Sequence, residues 1–322
     1  MTEIATVSAS APGKIILVGE HAVVYGRPAI AIPVGEVQAH ATIAPTAPGA
    51  GCTLHAPDLG QTLPLADAPP DHPLALILRL TLTHLDLPAN PDWTVTVNSQ
   101  IPIASGLGSG AALATALVRA LFAKAGKTAH PGLVSDLVFQ SETLYHGTPS
   151  GIDNTVIAFG QPVWFVKGTP PITFAPRLRF ALAIADSGIA APTVETVGDV
   201  RRSWQAHPAK FEPLFDSMGA IATQVRGLME QSGGEVRRWR ALGGLFRRNQ
   251  QLLAEIGVSS QPLARLILAA QEAGSFGAKL SGGGRGGNII ALVDPANPQP
   301  VLDALTAAGA KRVILTSVGE GQ

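Results

Sequence analysis

Ile101 to Ala112 reads IPIASGLGSGAA, a Gly/Ser loop that feeds a helix-forming run, AALATALVRALFAKAG. Glycines let a backbone approach a ligand closely, and the first N–H groups of a helix lack partners within it. No acid stands in the first turns of the run, and its charges, Arg119 and Lys124, lie toward the far end. The positive end of the helix dipole is therefore unopposed, which suits a phosphate. A plain linker before a buried Ala-rich helix fits the same residues, because a Gly-rich turn is a weak signal. One charge at a helix end is worth about 0.3–1 kcal/mol, against the roughly 8 kcal/mol of micromolar binding. Other phosphate ligands must come from elsewhere in the chain.

Four places offer charged groups. Lys14 lies between a Gly turn and the apolar IILV, as an edge charge or as a residue aimed at a ligand. Glu20 and His21 stand together in GEHAVVYG, where a solvated turn or cap is the ordinary reading. Glu142 falls near the C-terminal end of PGLVSDLVFQSETLYHG, where a carboxylate opposes the dipole and invites a cation, although a solvent-facing glutamate fits too. Asp153 follows HGTPSGI and by turn chemistry alone is an ordinary turn aspartate. GxxxxGK[ST] is absent, so an ordinary P-loop is excluded. Gly282, Gly284 and Gly287 match GxGxxG, but a strand follows them, so a Gly-rich hairpin near a binding cleft, or a plain tight turn, is expected there.

The elements that must position these groups are legible from periodicity. WTVTVN (93–98) alternates as a half-buried strand, and Gly126 stops the helix after the loop. Residues 4–9 and 15–18 read as two short strands joined through Ala11–Lys14. Val37–Ile43 alternates, short strands run through about Leu65, and Pro73–Leu87 reads as a helix. Pro131 starts another, with Gly147 as its stop. FALAIAD (180–186) is a strand, and the next stretch is helical, with one helix capped at Ser259 or Ser260. The arginines from Arg237 to Arg248 read as a solvated helix face. The end reads strand, Gly turn, strand, helix, strand, close to a split βαβ, ferredoxin-like unit.

Composition narrows the class. A chain of 322 residues favours two domains. Lys+Arg and Asp+Glu both number 23, which argues against nucleic acid as a partner. The single cysteine, Cys52, excludes an intramolecular disulfide and suits a cytoplasmic setting, and the N-terminus has no secretory pattern. Trp93–Val118 is uncharged, but Pro102 and the loop glycines interrupt it, so no membrane span is expected.

APGKIILVGEHAVVYG, IPIASGLGSGAA and GAKLSGGGRGGNIIAL together resemble, in identity, order and spacing, the three signatures of the GHMP kinases. GEHAVVYG, HGTPSGIDNTV, ADSGIAAPT and NQQLLAEIGVS are most similar to the branch that phosphorylates mevalonate. The resemblance covers nearly the whole chain. It implies an α+β, two-domain fold: a ribosomal protein S5 domain 2-like N-terminal domain (1–178) with a left-handed βαβ crossover, and a ferredoxin-like C-terminal domain (179–322), with the active site in their cleft. It implies transfer of the ATP γ-phosphoryl, with Mg²⁺, to the 5-hydroxyl of mevalonate in isoprenoid biosynthesis. Another GHMP kinase, acting on phosphomevalonate or at the 3-hydroxyl, and a weakly catalytic metabolite-binding relative are the alternatives.

Residue by residue, the resemblance places Pro102, Ala104, Ser105, Gly106, Leu107, Gly108, Ser109, Gly110 and Ala111 on ATP. It makes Asp153 the catalytic aspartate with Lys14 beside it. Glu142 and Ser109 become metal ligands, and Glu20, His21 and Thr193 line the acceptor pocket. A homodimer is a family expectation. Two departures stand out: Gly110 replaces the usual second serine of the loop, and Arg285 interrupts the glycine run, where an outward-pointing arginine is expected.

Overall fold

Alternating apolar residues give strands, and Ala/Leu-rich runs bounded by Gly and Pro give helices, in the order that the sequence pattern requires. The computed structural model describes residues 6–102, 105–146, 150–190 and 193–319. The chain packs as two compact units, residues 1–14, 33–102 and 108–160 in the first and 15–32, 103–107 and 161–322 in the second.

The first unit holds the early part of strand β1 (Val7–Val18), most of β2 (Ala29–Pro45), β3 (Thr53–Ala56), β4 (Gln61–Pro64), helix α1 (Pro73–His84), β5 (Trp93–Ser99), α2 (Ser109–Lys124), α3 (Pro131–His146) and α4 (Ile152–Phe159). Its strand order is β4-β3-β5-β2, with β1 also on β2. The β3/β5 pair is parallel and α1 lies between them in the chain, so a helical crossover is present. Helices α1–α4 pack on one another, and α2 also packs on β5. Helix α2 is buried on nearly every face, from Ala111 through Phe122, and its alanines admit close neighbours.

The second unit adds β6 (Val163–Phe165), β7 (Ile172–Thr173), β8 (Phe180–Asp186), α5 (Thr193–Ala206), α6 (Pro208–Glu230), α7 (Glu235–Glu255), α8 (Gln261–Glu272), β9 (Gly277–Ser281), β10 (Asn288–Val293), α9 (Gln299–Ala307) and β11 (Arg312–Val318). The four-stranded sheet runs β11-β8-β10-β9 with every pair antiparallel, the ferredoxin-like order. Ile184 of β8 faces Ile290 on one side and Ile314 on the other. Helix α7 approaches β9 through paired glycines, since a Cβ on Gly243 would lie 2.1 Å from Phe276 O and one on Gly277 2.2 Å from Gly243 O. No larger residue fits there.

Several sequence expectations need correction. The two N-terminal strands are one, β1, and Pro12 lies within it. β1 pairs only with β2 among the described residues, so a missing N–H can be accommodated on its free side. Helix α1 stops at His84 rather than Leu87 because Asp86 adopts φ 56. Asp153 lies in the first turn of α4, not in a turn. Ser260 is the N-cap of α8, but its hydroxyl makes no cap bond. Arg238 points inward, 6% exposed, and donates to the carbonyls of Leu228 and Gln231, while Arg247 donates to Phe276 O. Arg238 thus departs from the solvated face expected there, whereas Arg237, Arg240, Arg247 and Arg248 are exposed on it.

Candidate active site

In the first unit, Gly13 and Lys14 end the portion of β1 that belongs there, and Lys14 is only 3% exposed. Its Nζ lies 2.9 Å from Asp153 Oδ1, on a side chain that is 36% exposed. Asp153 follows Gly151, the N-cap of α4 at φ 88, where a carboxylate suits the helix dipole. Helix α4 is held to α3 by Asn154 Nδ2, which donates to Ser135 O (3.1 Å) and Oγ (2.9 Å). Arg119 of α2 donates to Ser10 O at 2.7 Å and to Ala158 O at 3.0 Å, which ties β1 and α4 to one helix. Sequence reasoning saw Arg119 only as a dipole charge. It is one of the groups that bring Lys14 and Asp153 together.

Glu142, on α3, is pushed up to about 8, mainly by burial and then by the Asp153 carboxylate, with Lys14 pulling the other way. A half-buried acid facing a second carboxylate is short of positive charge. Such oxygens would suit a hard divalent cation such as Mg²⁺. Ser109, the other candidate ligand, is half-buried at the first position of α2.

The loop's conformation agrees with an anion seat. Gly106 (φ 87) and Gly108 (φ 77) are left-handed, and no side chain caps α2 at Gly108. A Cβ on Gly108 would lie 2.9 Å from Ile157 Cδ1 and 3.0 Å from Lys14 Cγ, so this glycine packs directly on the catalytic candidate's stem. Gly110 is exposed with open space around it, and Ala111 is buried. Pro102 is half-buried and Leu107 buried, while Ala104 lies outside the described residues, as do Gly147–Pro149 of the HGTPSGI stretch. Ser105, buried, belongs to the second unit, where its carbonyl accepts from Asn288 Nδ2 at 2.6 Å.

In the second unit, Glu20 and His21 are 1% and 5% exposed, not solvated. Lys279, fully buried, pairs with Glu20 Oε1, and Asn249 Nδ2 donates to Oε2 at 3.1 Å. Both carboxylate oxygens are thus engaged by protein. His21 has φ 60, and its Nε2 lies 3.0 Å from Gly283 O. A carbonyl only accepts, so Nε2 carries the proton and Nδ1 keeps a lone pair for a ligand hydroxyl. Burial, aided by the charge of Arg285 and opposed by the Gly283 bond, pulls His21 down to about 4, so the ring is neutral. Thr193, exposed at the start of α5, packs on the same glycine: a Cβ on Gly283 would sit 2.9 Å from its Oγ1. His21 and Thr193 therefore converge on the hairpin, with Glu20 fixed behind them. The following turn is anchored by Arg27, which pairs with Glu212 and Asp216 of α6, and by Tyr25, stacked 4.2 Å from Phe215.

Two family models match the chain, GHMP kinases N terminal domain over residues 75–161 and GHMP kinases C terminal over 226–311. A mevalonate kinase from Thermococcus onnurineus is 34% identical, the match covering 98% of this chain and 97% of that protein. One from Thermococcus sibiricus is 32% identical over 98% of this chain and 97% of its own length. The chain belongs to the mevalonate kinase family of the GHMP kinases. The crystal structure of L. major mevalonate kinase in complex with R-mevalonate superposes with a TM-score of 0.81 at 29% identity, covering 97% of this chain and 95% of that one. A Streptococcus pneumoniae phosphomevalonate kinase shares the fold, with a TM-score of 0.79 at 16% identity over 97% of this chain and all of that chain.

For this GHMP kinase the sequence named Lys14, Glu142 and Asp153, which the structure gathers in one unit, and His21 and Thr193, which it gathers in the other. It missed Lys279, Asn249 and Arg119. A lone lysine in the apolar strand GAKLS was the available signal for Lys279, since a buried ammonium needs an acid. Arg285 does not point freely outward but pairs with Asp199 of α5. Among the described residues no helix is long and apolar enough to cross a membrane.

Proposed function

We propose that this enzyme transfers the γ-phosphoryl group of ATP to the 5-hydroxyl of mevalonate, giving 5-phosphomevalonate and ADP in the cytoplasm. The observation that carries the reading is the Lys14–Asp153 ion pair at 2.9 Å with the Glu142 carboxyl beside it. Phosphoryl transfer passes through a loose transition state, so positioning and charge neutralisation supply most of the catalysis. Asp153 accepts the hydroxyl proton, a role worth typically about 10²–10⁴-fold. Lys14 offsets the negative charge of Asp153 and fixes its direction. Glu142 and Ser109 would hold Mg²⁺, which would supply charge neutralisation at the phosphates. Residues Pro102 to Ala111, including Ala104, Ser105, Gly106, Leu107, Gly108 and Gly110, wrap the phosphates. Glu20, His21 and Thr193 serve the acceptor, Glu20 from behind. In this reading residues 1–178 supply the ATP-binding half and 179–322 the C-terminal half, with 15–32, 103–107 and 161–178 packing in the second unit.

The acceptor follows from charge. A phosphomonoester is nearly dianionic at neutral pH and needs several cationic donors. Around His21, Lys279 is sealed against Glu20, Arg27 is taken by Glu212 and Asp216, and Arg285 and Arg202 share the Asp199 carboxylate, which leaves one net positive charge, enough for a carboxylate and short of a phosphomonoester dianion. The experiment is a coupled assay of ADP formation against mevalonate, 5-phosphomevalonate, galactose and homoserine. Mevalonate turnover well above the other three is expected; preference for any other substrate contradicts the reading.

A further inference from the structure

The hairpin between β9 and β10 is drawn closely onto its neighbours. Besides the Thr193 contact of Gly283, a Cβ on Gly284 would meet Val258 O at 2.3 Å, and one on Gly286 would meet Ile189 O and Ala190 O at 2.6 Å. Arg285 stands between those two glycines at φ 61, with its N–H donating to Val258 O at 2.8 Å. A side chain in the left-handed region strains the backbone, and glycine would make this turn without that strain. The turn itself therefore gives no reason for an arginine.

The surroundings of its guanidinium do. Nη1 pairs with Asp199 Oδ2, and the other oxygen of Asp199 pairs with Arg202. Two guanidiniums thus share one carboxylate, leaving the trio with one net positive charge. The Arg285 side chain is 37% exposed, so it remains reachable, and Asp199 is its one side-chain partner among the described residues. Its charge is felt by the His21 ring, which shares Gly283 with Thr193. Lys279 is 0% exposed behind Glu20 and is closed to ligands.

Mevalonate is a monoanion whose carboxylate needs one cation, and a hydrogen bond to a charged group is among the stronger single contacts. We propose that Arg285 recognises the carboxylate of the acceptor, as a specificity-determining residue that makes this hairpin favour hydroxy acids over neutral alcohols. The proposal rests on the mevalonate reading above.

The test compares mevalonate with its neutral amide on the full-length enzyme. Arg285→Gly suits the turn and should keep the fold, which circular dichroism and thermal unfolding check. In that variant the KM for mevalonate should rise by about tenfold or more, with kcat and the KM for ATP within about twofold of the parent. The amide, measured as an inhibitor competing with mevalonate, should bind parent and variant equally, and Arg285→Lys should recover part of the loss. Equal weakening of acid and amide, an unchanged KM for mevalonate, or a rise confined to ATP would overturn the proposal. Failure of the parent enzyme to phosphorylate mevalonate would instead remove the functional reading beneath it.

Discussion

A lysine that is 3% exposed and 2.9 Å from a carboxylate has exchanged its hydration for one partner, so each group fixes where the other points. Asp153→Asn keeps the shape but removes the proton acceptor, and kcat should fall by at least about 10²-fold while ATP still binds in a fluorescence titration. Near-normal turnover would leave Asp153 with positioning alone. Glu142→Gln should raise the Mg²⁺ concentration for half-maximal activity markedly; titration like the parent would remove Glu142 as a metal ligand. His21 supplies a pH prediction. Its value falls from the ordinary 6.5 to about 4 on folding, so the unfolded chain holds the extra proton between those values. Its contribution to stability is therefore full above 6.5 and is lost as pH falls toward 4. His21→Asn should flatten that part of the unfolding-against-pH curve, and an unchanged slope would mean that other groups set it. At this scale the sequence identified Lys14, Glu142, Asp153 and His21 because motif position names a residue. Partners were not legible: nothing in GEHAVVYG says that Lys279 and Asn249, far along the chain, occupy both oxygens of Glu20.

Helix α2 begins at a glycine whose conformation and surroundings both exclude a side chain, two positions before a glycine that is free on both counts. The contrast is testable. Gly108→Ala must adopt φ near 77 and press on Ile157 and Lys14, so it should lose at least about 1 kcal/mol and reduce kcat through the displaced lysine. Gly110→Ser meets open space and should leave the unfolding midpoint nearly unchanged, with Mg²⁺·ATP binding equal or tighter. Equal destabilisation by both substitutions would contradict the account of the loop. Alternation and Gly/Pro punctuation made most elements readable, including the final strand–turn–strand–helix–strand series. Helix α4 was not readable, because IDNTVIAF is short and apolar and its periodicity does not separate helix from strand. The continuity of β1 was hidden for another reason: Pro12 and Gly13 look like a break unless the strand's free side is known.

The whole chain is a GHMP kinase with no net charge, whose two units divide the chemistry-bearing residues between them. Lys14, Glu142 and Asp153 lie in the first, and Glu20, His21, Thr193 and Arg285 in the second. That division is not a simple cut in the sequence, since residues 15–32 and 103–107 pack with the second unit. Composition and order of motifs reveal that two bodies exist, but not which short segments each one borrows, because borrowing depends on contacts distant in sequence. The central claim is that these residues phosphorylate mevalonate at its primary hydroxyl. Phosphorus NMR of the product formed from mevalonate and ATP tests it most directly. The account predicts a single phosphomonoester on O5, with no release of CO₂ and poor turnover of 5-phosphomevalonate offered in its place. A 3-phosphate, or faster reaction of the phosphorylated substrate, would contradict it and leave only the kinase family standing.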